Sequence, residues 1–294
     1  MVTYNIITFF LVENKGVYYT ISRYNGGNMK KRVISAIIMI AVFVPLLIIG
    51  GKFYALLMCI LAGCGLYELL KIASKENNFP PFMKICSYLV LLFICTRNIE
   101  SLDFNYTFDY KEVAILIFLF LLPLVFYNNN KKYNVTDALY LIGGVLFLGF
   151  SFNLLIIARN YDLYTIVYLL IISCITDTFA YITGNLVGVH KLVPKISPNK
   201  TIEGFIGGTL AGVFVGCSFY HVFINPDISI WIIIGVTTLL SIVGQLGDLV
   251  FSMIKRHYEQ KDFSNLIPGH GGILDRFDSI IFISLAFILV AEIL

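Results

Sequence analysis

Residues 229–254, SIWIIIGVTTLLSIVGQLGDLVFSMI, decide the fold of this chain. The stretch carries one charged side chain, Asp248, and it exceeds the length of about 20 apolar residues that a helix needs to cross a bilayer. It therefore predicts a transmembrane helix. An ionised carboxylate at this depth is costly unless it is paired or binds a cation, so Asp248 is the first candidate for a functional residue.

The rest of the chain repeats this apolar pattern. Hydrophobic residues make up 58% of the sequence and charged residues 13%, which is more apolar side chain than a single soluble core could bury. The third and fourth apolar stretches are shorter than a full span. The sequence predicts an all-α polytopic integral membrane protein with about nine transmembrane helices, at residues 33–50, 53–70, 83–96, 112–127, 136–158, 163–187, 203–224, 229–254 and 277–294.

The basic residues predict the orientation of these helices. If the residues before the first helix are cytoplasmic, most of the 21 Lys and Arg residues lie in cytoplasmic connections, as the positive-inside rule requires. We therefore expect a plasma-membrane protein whose loops after the sixth and eighth helices face the cytoplasm. The net charge of +3 is small and its basic residues are dispersed, so we expect no nucleic-acid partner.

Motif content divides the chain into three regions. Residues 1–28 form a leader without the features of a signal peptide, and Met29, which a basic cluster follows, has the character of a natural translation start. A peripheral amphipathic leader is the alternative. Residues 29–160 are expected to be transmembrane scaffold helices, because they hold almost no motif. Residues 161–294 are expected to form the catalytic transmembrane region.

The charges of the C-terminal region gather in residues 252–278, SMIKRHYEQKDFSNLIPGHGGILDRFD. Asp275 and Asp278 are three residues apart, so both project from one side of the first turn of the last helix. Together with Asp248 they would repel one another unless a divalent cation lay between them. Mg²⁺ bound by a few carboxylates, water and substrate phosphates fits this pattern. A structural salt bridge from Asp248 to Lys255 or Arg256 is the alternative.

A glycine loop precedes these carboxylates. Gly269, Gly271 and Gly272 would let the backbone approach an anion closely, and free N–H groups at the start of the last helix would favour phosphate oxygens. A tight turn between helices could require the same glycines. His270 is a candidate for a phosphate contact or a proton carrier, or for a residue that only holds the loop.

A second polar block, DTFAYITGNLVGVHKLVPKISPNKTIEG, covers residues 177–204. Asp177 lies within an apolar stretch, where a functional carboxylate and a hydrogen-bonded structural one are both reasonable. Ser197 or Thr201 could cap the following helix. Three lysines in this short segment could neutralise a triphosphate, or could only mark a cytoplasmic loop: Lys191, Lys195 and Lys200.

Both blocks resemble the CDP-diacylglycerol synthases, also called phosphatidate cytidylyltransferases. The segment ISPNKTIEG at 196–204 is similar to a second conserved stretch of that family. Four positions in and around the two blocks depart from the family's usual residues: Phe251 stands in place of an acid, Asn185 and Val189 in place of basic residues, and Ile202 in place of Trp. The residues that fall on the main family motif are Ser252, Lys255, Arg256, Lys261, Asp262, Ser264, Pro268, His270, Gly271, Gly272, Asp275, Arg276 and Asp278, with Asp248 just upstream.

The resemblance implies a reaction, in which CTP and phosphatidate give CDP-diacylglycerol and pyrophosphate with Mg²⁺ and a second cation, K⁺. A homodimer is a further expectation from the family. The catalytic residues would be Asp248, Lys255, Arg256, Asp275 and Asp278, of which Asp248, Asp275 and Asp278 would hold the metal. Substrate binding would fall to Lys200, Ser252, Lys261, His270, Gly271, Gly272 and Arg276.

Two other functions are compatible with parts of this pattern. A CTP-dependent polyprenol or phytol kinase would use a similar pocket to transfer a γ-phosphoryl group, but the full motif argues against it. An ion or lipid transporter would also carry intramembrane carboxylates. The charges here cluster at one membrane face and not at the midplane, which favours an enzyme.

Overall fold

The computed structural model describes residues 26–74, 79–97, 110–127 and 133–294. Nearly all of the leader expected at residues 1–28 lies outside these ranges. The described residues form ten helices, which are Gly26–Ile49 (α1), Gly51–Ala73 (α2), Pro81–Thr96 (α3), Tyr110–Leu121 (α4), Pro123–Tyr127 (α5), Val135–Tyr161 (α6), Leu163–Val187 (α7), Ile202–Phe223 (α8), Ile230–His257 (α9) and Leu274–Val290 (α10).

These helices bear out a helical, polytopic membrane architecture. Six of the described helices are long and apolar enough to cross a bilayer, namely α1, α2, α6, α7, α8 and α9. Each of the nine predicted stretches contains helix, but the helices α3, α4 and α10 are shorter than that length. The count of nine transmembrane helices is therefore not confirmed.

The predicted helix at 112–127 is wrong in one respect, because it consists of two helices. Helix α4 ends at Leu121 and α5 begins at Pro123, with a turn at Leu122 between them. Proline cannot donate a backbone hydrogen bond and disfavours helical geometry in the residue before it. The break therefore follows from Pro123.

A small β-hairpin interrupts the otherwise helical structure between α7 and α8. Strands Lys191–Val193 (β1) and Ser197–Thr201 (β2) pair antiparallel, with Lys191 opposite Thr201. As the sequence suggested, Thr201 caps the next helix, since its hydroxyl accepts a hydrogen bond from the Gly204 amide at 3.1 Å. The hairpin thus fixes where α8 begins and where the lysines of the second block lie.

Helix α8 packs against α7 through a glycine face that the sequence analysis did not single out. Glycines recur every four residues, at Gly204, Gly208, Gly212 and Gly216, and all four are buried. A Cβ on Gly208 would come within 2.6 Å of the Thr176 carbonyl oxygen. Only small residues allow two helix backbones to approach this closely.

Two buried hydroxyl pairs join α7 to α9. The hydroxyls of Thr176 and Ser241 lie 2.8 Å apart, and those of Tyr168 and Thr237 lie 2.7 Å apart. Hydrogen bonds between helices replace water that the bilayer cannot supply. The α7–α8–α9 unit is therefore a closely packed, hydrogen-bonded frame beneath the polar residues at its end.

Helix α10 lies between this frame and the N-terminal helices. The centre of the contact is aromatic, where Phe251 of α9 is completely buried and its ring lies within 6.1 Å of those of Phe147, Phe263 and Phe282. The apolar residue that replaces the family's acid at this position therefore belongs to the core. Such packing fixes how the last turns of α9 and the first turn of α10 face each other.

Candidate active site

Two lysine–aspartate ion pairs organise the site. In the first, Lys200 of β2 and Asp248 of α9 approach to 2.6 Å, and each side chain is 26% exposed. In the second, Lys255 at the end of α9 and Asp275 in α10 approach to 2.7 Å, with exposures of 10% and 5%. The sequence alternative of a salt bridge from Asp248 to Lys255 or Arg256 is wrong, because Asp248 pairs with Lys200.

Three carboxylates gather at one end of the bundle, and they are not the three expected from the sequence. Asp177 lies near enough to Asp248 to interact with its charge, and Asp278 lies near enough to interact with both. They come from α7, α9 and α10. The structure thus adds Asp177 to this cluster, which the sequence left between a functional and a structural reading.

The Ser279 hydroxyl lies beside this acidic cluster. It interacts with the Asp177 carboxylate. Its oxygen is buried, and among the described residues it meets strict hydrogen-bond geometry with none. Carboxylates that repel one another beside a buried, weakly bonded hydroxyl are an environment that a hydrated cation would complete. No group of three or more acidic, His or Cys side chains among the described residues already has metal-binding geometry.

Asp275 has a different environment from the other carboxylates. Its Oδ1 accepts from the Lys255 ammonium, and its Oδ2 accepts from the backbone amides of Phe263 at 3.0 Å and Gly272 at 2.9 Å. Asp275 as a metal ligand remains a prediction, which would have to use the lone pairs that these bonds leave over. In the structure the carboxylate closes the loop between α9 and α10.

The loop has the glycine geometry that its sequence suggests. Gly269 and Gly271 have φ values of 80° and 88°, which glycine adopts without strain. The amide of Ile267 donates to the carbonyl of Gly271 at 2.8 Å, so the loop folds back on itself. The guanidinium of Arg276 donates twice to the His270 carbonyl, at 3.0 and 2.6 Å. Arg276 thus braces the loop and remains exposed.

His270 points towards α1 and not towards the acidic cluster. Its Nδ1 lies 2.8 Å from the hydroxyl of Ser35, which also lies 3.0 Å from the Pro268 carbonyl oxygen. If the hydroxyl donates to this carbonyl, Nδ1 carries the proton and donates to Ser35. Partial burial, together with the charges of Arg276 and Arg32, lowers the pKa of His270 below its usual value. The contact favours the sequence alternative in which His270 holds the loop.

The amides before α10 are not free to bind phosphate, so that expectation is wrong. The Ile273 amide donates to Oε1 of Glu68 at 2.8 Å, and the Leu274 amide donates to Oε2 at 2.9 Å. The Gly272 amide donates to Asp275. The positive end of the helix is therefore already occupied by carboxylates of the protein. Substrate binding by Gly271 and Gly272 remains a prediction.

The remaining predicted side chains lie on the last turns of α9 and in the loop that follows. Ser252 lies one turn after Asp248, and its hydroxyl reaches Oδ1 of Asp248 at 3.4 Å. Arg256 is exposed and donates to the carbonyls of Ile196 and Gln260, which ties the end of α9 to the hairpin. Lys261 is exposed in the loop.

A polar cavity of about 550 Å³ opens beside the Lys200–Asp248 pair. Its walls come from the end of α7, the hairpin, the start of α8 and α9. Both charged and neutral polar side chains line it, among them Asp177, Tyr181, Asn185, Lys191, Asn199, Lys200 and Asp248. Asp177 and Asp248 thus line one cavity together with two of the three block lysines, and Asp278 lies beside them. Lys255 and Asp275 form a separate buried pair.

Sequence reasoning missed two residues that contact the motif loop from the N-terminal helices. Ser35 of α1 meets His270, and Glu68 of α2 accepts hydrogen bonds from the start of α10. A signal existed for Glu68, because it is an acidic residue within the apolar stretch 53–70, and such residues are functional candidates. The region 29–160 therefore contributes more than scaffold.

A polytopic membrane protein with carboxylates and lysines around one polar cavity is a class suited to binding a cation together with phosphate groups. The comparison with known families agrees with this. The sequence profile of the cytidylyltransferase family matches residues 30–294, and this chain belongs to that family.

Individual relatives match over most of the chain. A phosphatidate cytidylyltransferase of Staphylococcus haemolyticus (strain JCSC1435) is 39% identical over 255 residues, which are 87% of this chain and 96% of that protein. Proteins of the same name from Staphylococcus aureus (strain COL) and Staphylococcus saprophyticus are 38% and 36% identical, with the same two coverages. The resemblance inferred from the motifs is confirmed.

Proposed function

We propose that this protein is a phosphatidate cytidylyltransferase, which transfers CMP from CTP to phosphatidate and releases pyrophosphate. One observation carries the proposal. The motif shared with the family forms one polar site at the end of apolar helices, where Lys200 and Asp248 line a cavity beside Asp177 and Asp278. A lipid phosphate can reach such a site from the bilayer, and a nucleotide can reach it from water.

The reaction needs alignment more than proton transfer. A phosphate oxygen of phosphatidate attacks the α-phosphorus of CTP, the new P–O bond forms, and the bond from the α-phosphorus to the bridging oxygen breaks as pyrophosphate leaves. The attacking phosphate is already an anion at neutral pH, so no strong general base is required. Charge neutralisation and positioning are the tasks left to the protein.

Mg²⁺ is the cation that the site would hold, and family resemblance adds K⁺. Asp248 and Asp278, with Asp177 beside them, are the donors that the structure favours. Asp275 has most of its bonding capacity used by Lys255 and two amides, so it would act first by fixing the loop. When bound, Mg²⁺ would neutralise phosphate charge and organise the triphosphate.

Lys200 has two uses in this scheme. Its ammonium pairs with Asp248 and also reaches the Gln245 carbonyl at 3.4 Å, so it lies at the wall of the cavity. A cation on Asp248 would compete with it, and the released ammonium would be free to contact a phosphate. Lys191 lines the same cavity, whereas Arg256, Lys261 and Arg276 are exposed at the loops and would attract anions electrostatically.

The membrane arrangement is part of the proposal. We place the hairpin and the α9–α10 loop on the cytoplasmic side, where CTP is available, because most of the 21 basic residues lie in the connections that the predicted topology puts on that side, these two among them. The shorter helices α3 and α10, and α4 with α5, would complete the nine crossings. A homodimer is carried over as an expectation from the family.

A transfer assay with purified protein, phosphatidate, Mg²⁺ and CTP labelled at the α-phosphate tests the function. Label should appear in an organic-soluble lipid and unlabelled pyrophosphate in water. Label that stays in water as CDP would instead reveal γ-phosphoryl transfer to an alcohol. Chelation of Mg²⁺ should stop the reaction and its restoration should recover it, and a reaction indifferent to the chelator would contradict the metal assignment.

A further inference from the structure

Glu68 lies outside the motif and contacts the motif loop directly. It lies in the C-terminal part of α2 and its exposure is zero, although a buried carboxylate is strongly disfavoured unless hydrogen bonds compensate it. Three donors surround it, namely the Ser264 hydroxyl at 2.6 Å, the Ile273 amide at 2.8 Å and the Leu274 amide at 2.9 Å. Two of them belong to the α9–α10 loop, and Leu274 is the first residue of α10.

Glu68 leaves no room for a side chain at position 272 of the loop. A Cβ on Gly272 would lie 2.5 Å from Oε1 of Glu68. The glycine therefore has a function besides backbone freedom, because it lets the loop pass directly over the carboxylate. Glu68 also lies at the N-terminus of α10, where a negative charge is stabilised by the helix dipole.

Glu68 and Asp275 hold the loop in the same manner, side by side. Asp275 accepts from Phe263 at one end of the loop and Gly272 at the other, and Glu68 accepts from the next residues at both ends. Two carboxylates thus close one loop across its base. Charge-assisted hydrogen bonds of this length are the stronger kind, and together they fix the first turn of α10.

We propose that Glu68 is a positioning residue for the reaction, which acts through the α9–α10 loop and not by contact with substrate. The first turn of α10 carries Asp278, and its direction towards Asp248 depends on where this turn begins. Glu68 sets that start from α2, and the carboxylate cluster therefore needs a residue of the N-terminal helices. The inference rests on the proposed function for its activity readout but not for its structural one.

Glu68→Gln is the test variant, because it keeps the volume and replaces one accepting oxygen with a donor. Asn153→Leu is the matched control, since Asn153 is equally buried but donates to the carbonyls of Cys95 and Arg97, away from the loop. Both variants should lower the thermal midpoint. Only Glu68→Gln should speed deuterium exchange at the Ile273 and Leu274 amides, by roughly tenfold or more.

Activity separates positioning from general stability. We expect kcat of Glu68→Gln to fall about 10- to 100-fold at a temperature where the variant is folded, with a raised Mg²⁺ requirement, as for residues that orient catalytic ligands. Asn153→Leu should keep kcat within about twofold. If Glu68→Gln does not fold, Ser264→Ala removes one of the three donors and should give a smaller change in the same direction.

Two results would overturn the proposal. One is unchanged amide exchange at Ile273 and Leu274 in Glu68→Gln, and the other is a loss of activity no greater than that of Asn153→Leu at equal thermal stability. Absence of CMP transfer in the wild-type protein would instead refute the proposed function, while the amide-exchange comparison would still report on the role of Glu68.

Discussion

The two lysine–aspartate pairs of the site differ in how far water reaches them. The Lys200–Asp248 pair lines a cavity and is about a quarter exposed, whereas the Lys255–Asp275 pair is almost completely buried. A partly exposed pair contributes little to stability, but breaking a buried pair leaves a charge without compensation. The Asp→Asn change should therefore lower activity more than stability at Asp248, and should lower stability at Asp275.

Asp248→Asn should remove activity and leave the fold intact. The variant loses a negative charge at the cavity without losing volume, so we expect CMP transfer to fall by at least about 100-fold with little change in the thermal midpoint. Transfer of labelled CMP and thermal unfolding in detergent measure the two effects. Asp227→Asn, in the exposed α8–α9 connection, is the control, and near-normal turnover of Asp248→Asn at low Mg²⁺ would contradict the assignment.

Asp275→Asn should instead destabilise the protein by about 3–5 kcal/mol, because it leaves the buried Lys255 ammonium without its anion. The double variant Asp275→Asn with Lys255→Met should recover much of this stability without recovering activity. Chemical denaturation of the three proteins measures the difference. A single variant as stable as the wild type would mean that this ion pair does not close the loop.

The lowered pKa of His270 gives a pH dependence with a definite sign. Below the usual histidine value of about 6.5, the unfolded chain takes up a proton that the folded protein resists, so stability falls as the pH drops towards the depressed pKa. Above that value neither state binds the proton. Thermal midpoints of the wild type should therefore fall relative to those of His270→Asn between pH 7.5 and about 5.5. Parallel curves would contradict the assignment.

At the scale of helices, the glycine face of α8 determines how α7 and α9 meet around the cavity. Gly208→Ala would place a Cβ against the Thr176 carbonyl, and backbone cannot move aside as a flexible side chain can. We expect the free energy of unfolding to fall by about 1–3 kcal/mol. We also expect CTP to raise the thermal midpoint of the variant less than that of the wild type. Gly63→Ala is the matched control, since a Cβ there meets nothing within 4 Å. Equal stability of the two variants would show that the face is not tightly packed.

Helices were predictable from the sequence because apolar length alone determines them in a membrane protein. The predicted boundaries of α7, 163–187, agree with the structure, and the break at Pro123 could have been read from the proline. The hairpin was not predictable, since its strands are short and polar. Its position depends on the Thr201 cap and on the bonds of Glu203 to the amides of Val189 and His190.

The site was predictable in its residues but less so in their partners. Motif spacing placed Asp275 and Asp278 on one helical turn, yet only the fold separates them, because Asp275 turns to Lys255 while Asp278 joins Asp177. The role of Glu68 was not predictable from spacing, since its partners lie 196 to 206 residues further along the chain. Contacts of such separation are determined by packing and not by local pattern.

At the scale of the whole molecule, the proposed orientation in the membrane can be tested by labelling single cysteines from either side. In a background without the six native cysteines, Asn199→Cys and Asn265→Cys should react with an impermeant thiol reagent only from the cytoplasm, and Asp227→Cys only from outside. Both loop positions are exposed, whereas Ser264 is buried against Glu68 and is unsuitable. CTP with Mg²⁺ should slow labelling at Asn199→Cys, which lines the cavity. Labelling of the loop positions from outside would reverse the proposed orientation.

The long separation between Glu68 and its donors also has a consequence for biosynthesis. The ribosome makes α2 early, so Glu68 enters the membrane when the residues that will satisfy it, Ser264, Ile273 and Leu274, have not yet been made. Until they arrive, the Glu68 carboxylate in its apolar helix lacks these three donors, which carries an energetic cost. Only a chain that reaches α10 removes it. We therefore expect a truncated chain that ends before α10 to be less stable in the membrane than the full-length protein.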